Sequence, residues 1–197
     1  MSNKIKYGLK NVHYAVATIA ADGSATYGTP APFPGAVSLS MEPQGETTPF
    51  YADNVVYWTG VSNNGYQGDL EMARVIDDFK KDILGYVTDA KGVLLEDANA
   101  QAVHFALLFQ FEGDVKATRH VLYNCTATRP GASGNTKAEN ADPQTESVSI
   151  TATSVYFATI NGGTDLVKAE TVEGSDATTY NGWFESVYTP TAPANNG

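Results

Sequence analysis

Two short runs with strand alternation, Val37–Met41 and Gln67–Met72, are separated by about two dozen residues that carry no core-forming period. The stretch between them runs from Glu42-Pro43-Gln44-Gly45-Glu46 through Phe50-Tyr51-Ala52-Asp53 to Gly65-Tyr66, and on its pattern it is aromatic yet unable to fold on itself. A patternless insertion of that length inside a compact domain is uncommon and marks either function or disorder. Phe50, Tyr51, Tyr57 and Trp58 are costly to leave in water, so segment 42–66 is expected to bury itself against something, and another copy of the chain is the simplest partner. Glu42, Pro43, Gly45, Glu46, Phe50, Tyr51, Asp53, Tyr57 and Trp58 are therefore the candidate self-assembly residues.

The rest of the chain reads as β structure. An N-terminal segment, 1–21, alternates through Leu9, Val12, Tyr14 and Val16, and Asp22-Gly23 marks a turn. Pro30, Pro32 and Pro34 then impose an extended connector, since a central strand tolerates none of them. One helix is expected over Val75–Leu84, with Val75, Ile76, Phe79 and Ile83 on one face and Gly85 as its stop. Val103–Phe111 and Thr118–Thr128 form a hairpin through Glu112-Gly113-Asp114, with Arg119, Val121, Tyr123 and Cys125 expected on one face. Pro130–Pro143 reads as an exposed loop, Glu146–Phe157 as a long strand, Tyr180–Tyr188 as an aromatic knot, and 189–197 as a frayed tail. The sum is one domain, 1–197, mainly β: two packed antiparallel sheets, a sandwich or partial barrel, with one flanking helix and a long inter-strand loop.

Charge and chemistry narrow the function. Twenty-two acidic residues against 12 basic ones give a net charge of −10, with no basic cluster beyond Lys4, Lys6 and Lys10, which argues against nucleic-acid binding. The single cysteine, Cys125, excludes an internal disulfide, and the N-terminus Met1–Tyr7 lacks the apolar stretch of a secretory signal, so synthesis in a cytoplasm is expected; the longest apolar run, Val103–Phe111, is about half of what a membrane-spanning helix needs. His13, His104 and His120 lie near no acid or thiol at metal-ligand spacing, and no metal or cofactor is expected. The hairpin would bring His104 opposite Cys125, but no third residue orients such a pair, and a non-catalytic sheet contact is the better reading. Asp77-Asp78 and Glu96-Asp97 point apart among lysines, as a solvated face does. Gly60–Gly68 lacks the context of a phosphate cradle. No catalytic residue is expected. Exposed Tyr and Trp could also line a sugar site on a β-sandwich, but here aromatics recur along both the arm and the C-terminal knot.

Several segments, in order, resemble the major tail protein family of long-tailed siphophages, chiefly of Gram-positive hosts. They are Gly8-Leu9-Lys10-Asn11-Val12-His13-Tyr14-Ala15, Thr26-Tyr27-Gly28-Thr29-Pro30 with Pro34-Gly35-Ala36-Val37, and Glu42 through Asp53. Asp82-Ile83-Leu84-Gly85, Pro143-Gln144-Thr145-Glu146-Ser147-Val148 and Trp183–Tyr188 follow. The resemblance covers essentially the whole chain and departs at Pro130–Pro143, which is longer and richer in glycine. It implies a tail-tube fold, subunits joined as hexameric rings, and rings stacked into a tube through which DNA passes without specific binding. It further implies tape-measure, tail terminator and distal tail proteins as partners, and it is shared by bacterial secretion-tube proteins.

Physical chemistry fits that implication. Ring closure uses sheet edges that would otherwise pair without control. The arm 42–66 is then the inter-ring contact, ordered by its neighbour. A conduit for a polyanion needs an acidic or neutral wall, for which Glu146, Thr151 and Thr153 are the candidate lumen-facing residues. The N-terminal lysines are expected to reach an acidic patch on an adjacent subunit.

Overall fold

Alternating small or apolar and polar residues give β1 (Lys6–Ile19), which turns at Asp22-Gly23 into β2 (Ala25–Tyr27). β3 (Ala31–Pro32) pairs the same edge of β1, where proline is tolerated. The computed structural model describes residues 3–136, 143–160 and 162–192. Parts of the expected loop Pro130–Pro143 and of the expected tail 189–197 lie outside the described residues.

β4 (Ala36–Pro43), β5 (Thr47–Ala52), β6 (Val55–Val61) and β7 (Tyr66–Met72) follow, with β4 paired to β7 and β5 to β6. Next come α1 (Asp77–Asp82) and a small hairpin, β8 (Val87–Thr88) with β9 (Leu94–Leu95). β10 (Phe105–Gly113) and β11 (Thr118–Ala127) pair as a hairpin, and β12 (Glu146–Thr153) joins β11 to β7. β13 (Val155–Phe157) pairs with β14 (Thr164–Leu166), β15 (Lys168–Glu170) pairs with the first half of β11, and α2 (Ala177–Asn181) follows. The main sheet runs β2-β1-β10-β11-β12-β7-β4, antiparallel throughout.

This sheet curls round one core and carries a second on its back. Inside lie Tyr14, Leu70, Met72, Phe105, Leu107 and Ile150, with Phe79 of α1 wedged among aromatic rings. Phe79 stacks on Phe33 at 4.4 Å and meets Tyr14 and Phe105 edge-on at 5.1 and 5.6 Å. On the other face Ala106, Leu108, Val121 and Tyr123 are covered by Val155, Phe157, Trp183 and Val187. The fold is mainly β, with antiparallel sheets and two short helices, as a sandwich-like architecture requires.

Five details depart from expectation. The long strand expected over Glu146–Phe157 breaks at Ser154 into β12, in the main sheet, and β13, which pairs with β14 instead. The arm after Glu42 forms a hairpin of its own, for reasons given below. Helix α1 is shorter than Val75–Leu84, because Ile76 is extended as its N-cap and the Val75 amide donates to Glu146 Oε2 at 2.8 Å. A second helix, α2, forms where only a knot was expected, its N-terminus capped by Asp176 accepting from the Thr179 amide at 2.9 Å. Cys125 does not share a face with Val121 and Tyr123. A bulge between the pairs Leu107–Leu122 and Phe105–Cys125 adds a residue to β11 and turns Cys125 into the inner core.

The strand directions define two ends. One is closed by α1 and holds Met72, Ala36 and the exit of β11; the other holds Lys6, the Gly113–Thr118 turn, Pro43 and Tyr66. At this open end a cleft of about 390 Å³ is lined by Met41, Tyr66, Phe109, Phe111, His120 and Lys168.

Candidate functional site

The arm grows out of the body as a continuation of the β4–β7 ribbon. Past Pro43 and Tyr66, the Gln44 amide donates to the Gly65 carbonyl at 2.8 Å, and the Ser62 amide to the Glu46 carbonyl at 3.0 Å. The Glu46 amide in turn donates to Ser62 Oγ at 2.9 Å. At Gly45 the two strands approach so closely that a Cβ would run into the Ser62 carbonyl oxygen, which explains glycine at the root of the arm. From there Thr47 to Ala52 pair with Val61 to Val55. The two-residue turn Asp53-Asn54 closes the hairpin with φ values of 51° and 61°. That is the left-handed pair a tight hairpin needs, and Asp and Asn tolerate it better than other residues bearing a Cβ. At about 3.3 Å per residue, six residues carry the tip about 20 Å beyond the ribbon's root.

Register assigns the faces. Phe50 lies opposite Trp58 and Thr48 opposite Gly60, so these four share one side, and the Trp58 ring lies over the space a Gly60 side chain would fill. Tyr51 opposite Val56 and Thr47 opposite Val61 share the other. A bulge at Tyr57 separates the two registers. Both sides are apolar, and both are open: Tyr57 is 74% exposed, Tyr51 62% and Trp58 61%. The sequence expectation that this segment cannot fold on itself is thus corrected, because its backbone pairs internally. Its side chains do not bury on the body.

Of the named assembly residues, Phe50, Tyr51, Asp53, Tyr57 and Trp58 come together on the arm, while Glu42, Pro43, Gly45 and Glu46 form its root. Val55, Val56 and Val61, also exposed, extend the same apolar surface and were not singled out; their β-branched run beside Tyr57-Trp58 was the available signal.

Glu146, Thr151 and Thr153 do not share a face. Glu146 lies on the side of Val148 and Ile150, where it holds the Val75 amide, whereas Thr151 and Thr153 are exposed on the opposite side. That opposite side is built in cross-strand rows: Ser38–Glu71–Ser147, Ser40–Asp69–Ser149 and Glu42–Gln67–Thr151. Hydroxyls satisfy the carboxylates, with Ser149 Oγ donating to Asp69 at 2.5 Å, and Ser38 and Thr145 donating to Glu71 at 2.9 and 2.6 Å. These bonds hold the Glu71 carboxyl below its ordinary range. None of the three rows contains a lysine or arginine. The alternation Ser38, Ser40, Glu42 against Leu39, Met41 was the sequence signal for this face.

Other candidates are taken up by the fold. Cys125 faces Phe105, its thiol buried and its pKa pushed up to about 12 by that burial, so no thiolate forms at neutral pH. His104 instead meets Asn124 Oδ1 at 2.7 Å. His13 stacks on Phe184 at 4.9 Å. Asp77 pairs with Arg74 and Asp78 with Lys81, all solvent-exposed. Among the described residues no three His, Cys, Asp or Glu side chains gather as a metal site, and no helix is long and apolar enough to cross a membrane. Two of the three N-terminal lysines lie against the body, Lys10 pairing with Glu112 at 2.6 Å and Lys6 lying over the Phe111 ring at 4.5 Å, while at Lys4 the backbone amide donates to Asp114.

A family model described as phage tail tube protein matches residues 1–193 of the chain. No curated protein matches it.

Proposed function

The chain belongs to the phage tail tube protein family, and from that premise we propose that it is the major tube subunit, closing into hexameric rings that stack through the arm 42–66 into a conduit for DNA. Members of the family are structural rather than enzymatic, reside in the virion tail, are assembled in the host cytoplasm, and build a tube that meets other tail components. The tape-measure protein, tail terminator and distal tail protein are the partners we assign to the ends and interior of that tube.

The observation that carries this reading is the arm. A two-stranded hairpin is marginal alone in water, and one with apolar residues on both faces is stabilised only when a neighbour covers them. Stacking supplies that neighbour. Glu42, Pro43, Gly45 and Glu46 set the angle at which Phe50, Tyr51, Asp53, Tyr57 and Trp58 are presented.

The three polar rows of β4, β7 and β12 support a lumen face carrying Thr151 and Thr153, with Glu146 behind it. Phosphate binding by a basic wall would be salt-sensitive and would stall transit; carboxylates fixed by hydroxyls repel the polyanion without holding it. Deleting residues 44–64 tests the reading by negative-stain electron microscopy. The expected product is rings or monomers with no tubes, and full-length tubes would end the proposal.

A further inference from the structure

A tube lengthens without limit only if each copy joins unlike surfaces, since a self-complementary contact closes on itself as a pair. The arm leaves the body at the open end, beside Pro43 and Tyr66, so its receptor must lie elsewhere on the next copy. Outside the arm, large exposed apolar side chains fall mostly into two groups. Ile5, Tyr7 and Val115 sit at the open end itself, around the Gly113–Thr118 turn to which the N-terminal segment is tied. Val87, Val93 and Leu95 sit on the β8–β9 hairpin, which follows α1 at the closed end.

This second hairpin is a fixed knob. Asp89 Oδ1 accepts from the amides of Lys91 and Val93 at 2.9 and 2.8 Å, which sets its turn. Glu96, just past β9, accepts from Tyr86 OH at 2.6 Å and pairs with Arg129, which anchors the knob to the exit of β11. Strands of two residues bury nothing of their own, so the exposed valines and leucine have no core to serve.

One charged pair fits the contact. From Glu42 to Ala73 the arm and its root contain carboxylates, including Asp53 at the tip, and no lysine or arginine. The knob also carries Asp89, Glu96 and Asp97, but Asp89 is turned onto the amides of its own turn and Glu96 onto Arg129, and Lys91 is exposed with no ion pair engaging it among the described residues.

We propose that the β8–β9 hairpin is the receptor on which the arm of a second copy docks head to tail, with Tyr57 and Val56 against Val93 and Leu95 and with Asp53 near Lys91. This rests on the reading of the arm as the stacking element.

The native thiol is buried at Cys125, so introduced cysteines report alone. Full-length chains carrying Tyr57→Cys with Val93→Cys, or Val56→Cys with Leu95→Cys, are assembled into tubes and oxidised. A ladder of covalent multimers on a non-reducing gel is expected from at least one pair, and none from the single variants. A ladder from Tyr57→Cys with Val115→Cys, and none from the first two pairs, would overturn the proposal. Charge reversal gives a second readout. Asp53→Lys and Lys91→Asp should each slow polymerisation by about fivefold or more, and the double variant should recover most of it; failure to recover counts against the contact. If the 44–64 deletion still gives tubes, the stacking reading itself is lost. If tubes need the arm but link elsewhere, only the receptor is wrong.

Discussion

The β4–β7 ribbon and its extension β5–β6 share one backbone path and one hydrogen-bonding scheme, yet their side chains meet opposite fates. In the body Leu70 and Met72 are fully buried; on the arm no side chain of either strand is buried. Local structure is therefore satisfied in both halves, and only tertiary contact differs. Strand pairing and burial are separate requirements: the body meets both within one chain, and the arm meets only the first.

The largest expected effect falls on the body. Phe79→Ala removes the ring at the centre of the aromatic group and should cost about 3–5 kcal/mol of monomer stability by denaturant titration. A loss below about 1 kcal/mol would mean the inner core is not the source of stability.

Acid gives a second, smaller separation. His120 stacks on Phe109 at 5.1 Å, and burial drives its pKa down to about 4 against the pull of Glu170. In the unfolded chain an imidazole titrates near 6.5, so the unfolded state takes up the proton first as pH falls. The body's stability should be intact above about pH 6.5 and fall by roughly 2–3 kcal/mol towards pH 4. His120→Phe should flatten that slope in a series of melts, and an unchanged slope would place the effect elsewhere.

The smallest effect on the monomer belongs to the arm. Trp58→Ala and Phe50→Ala should shift monomer stability by no more than about 0.5 kcal/mol, because neither ring is covered. The same variants should abolish tubes seen by electron microscopy. A large loss of monomer stability would show that the arm packs on its own body and would erase the contrast.

The body was legible in the sequence and the arm only in part, for identifiable reasons. Regular alternation in Glu146–Thr153 and the apolar run Val103–Phe111 locate β12 and β10, since one face or both must be buried there. The arm hides its hairpin because Asp53-Asn54 is a weaker turn signal than Asn-Gly, because Pro49 interrupts β5, and because both faces are apolar, which removes the alternation. The face of Cys125 was unreadable because a bulge adds one residue without leaving a mark in the pattern. Glu146 looked like a wall residue, but its parity with Val148 sends it inward to the Val75 amide. That Thr151 and Thr153 share the exposed side of β12 needed only the period of two.

The continuity of the ribbon at Gly45 and Gly65 also bears on mechanics. Tension applied at the tip pulls β4 and β7 the same way, so the hydrogen bonds that tie β7 to β12 are loaded in shear, many at once, and cannot be peeled open one after another. A stretched filament built this way would fail first where arm meets receptor, leaving each subunit whole and able to rejoin.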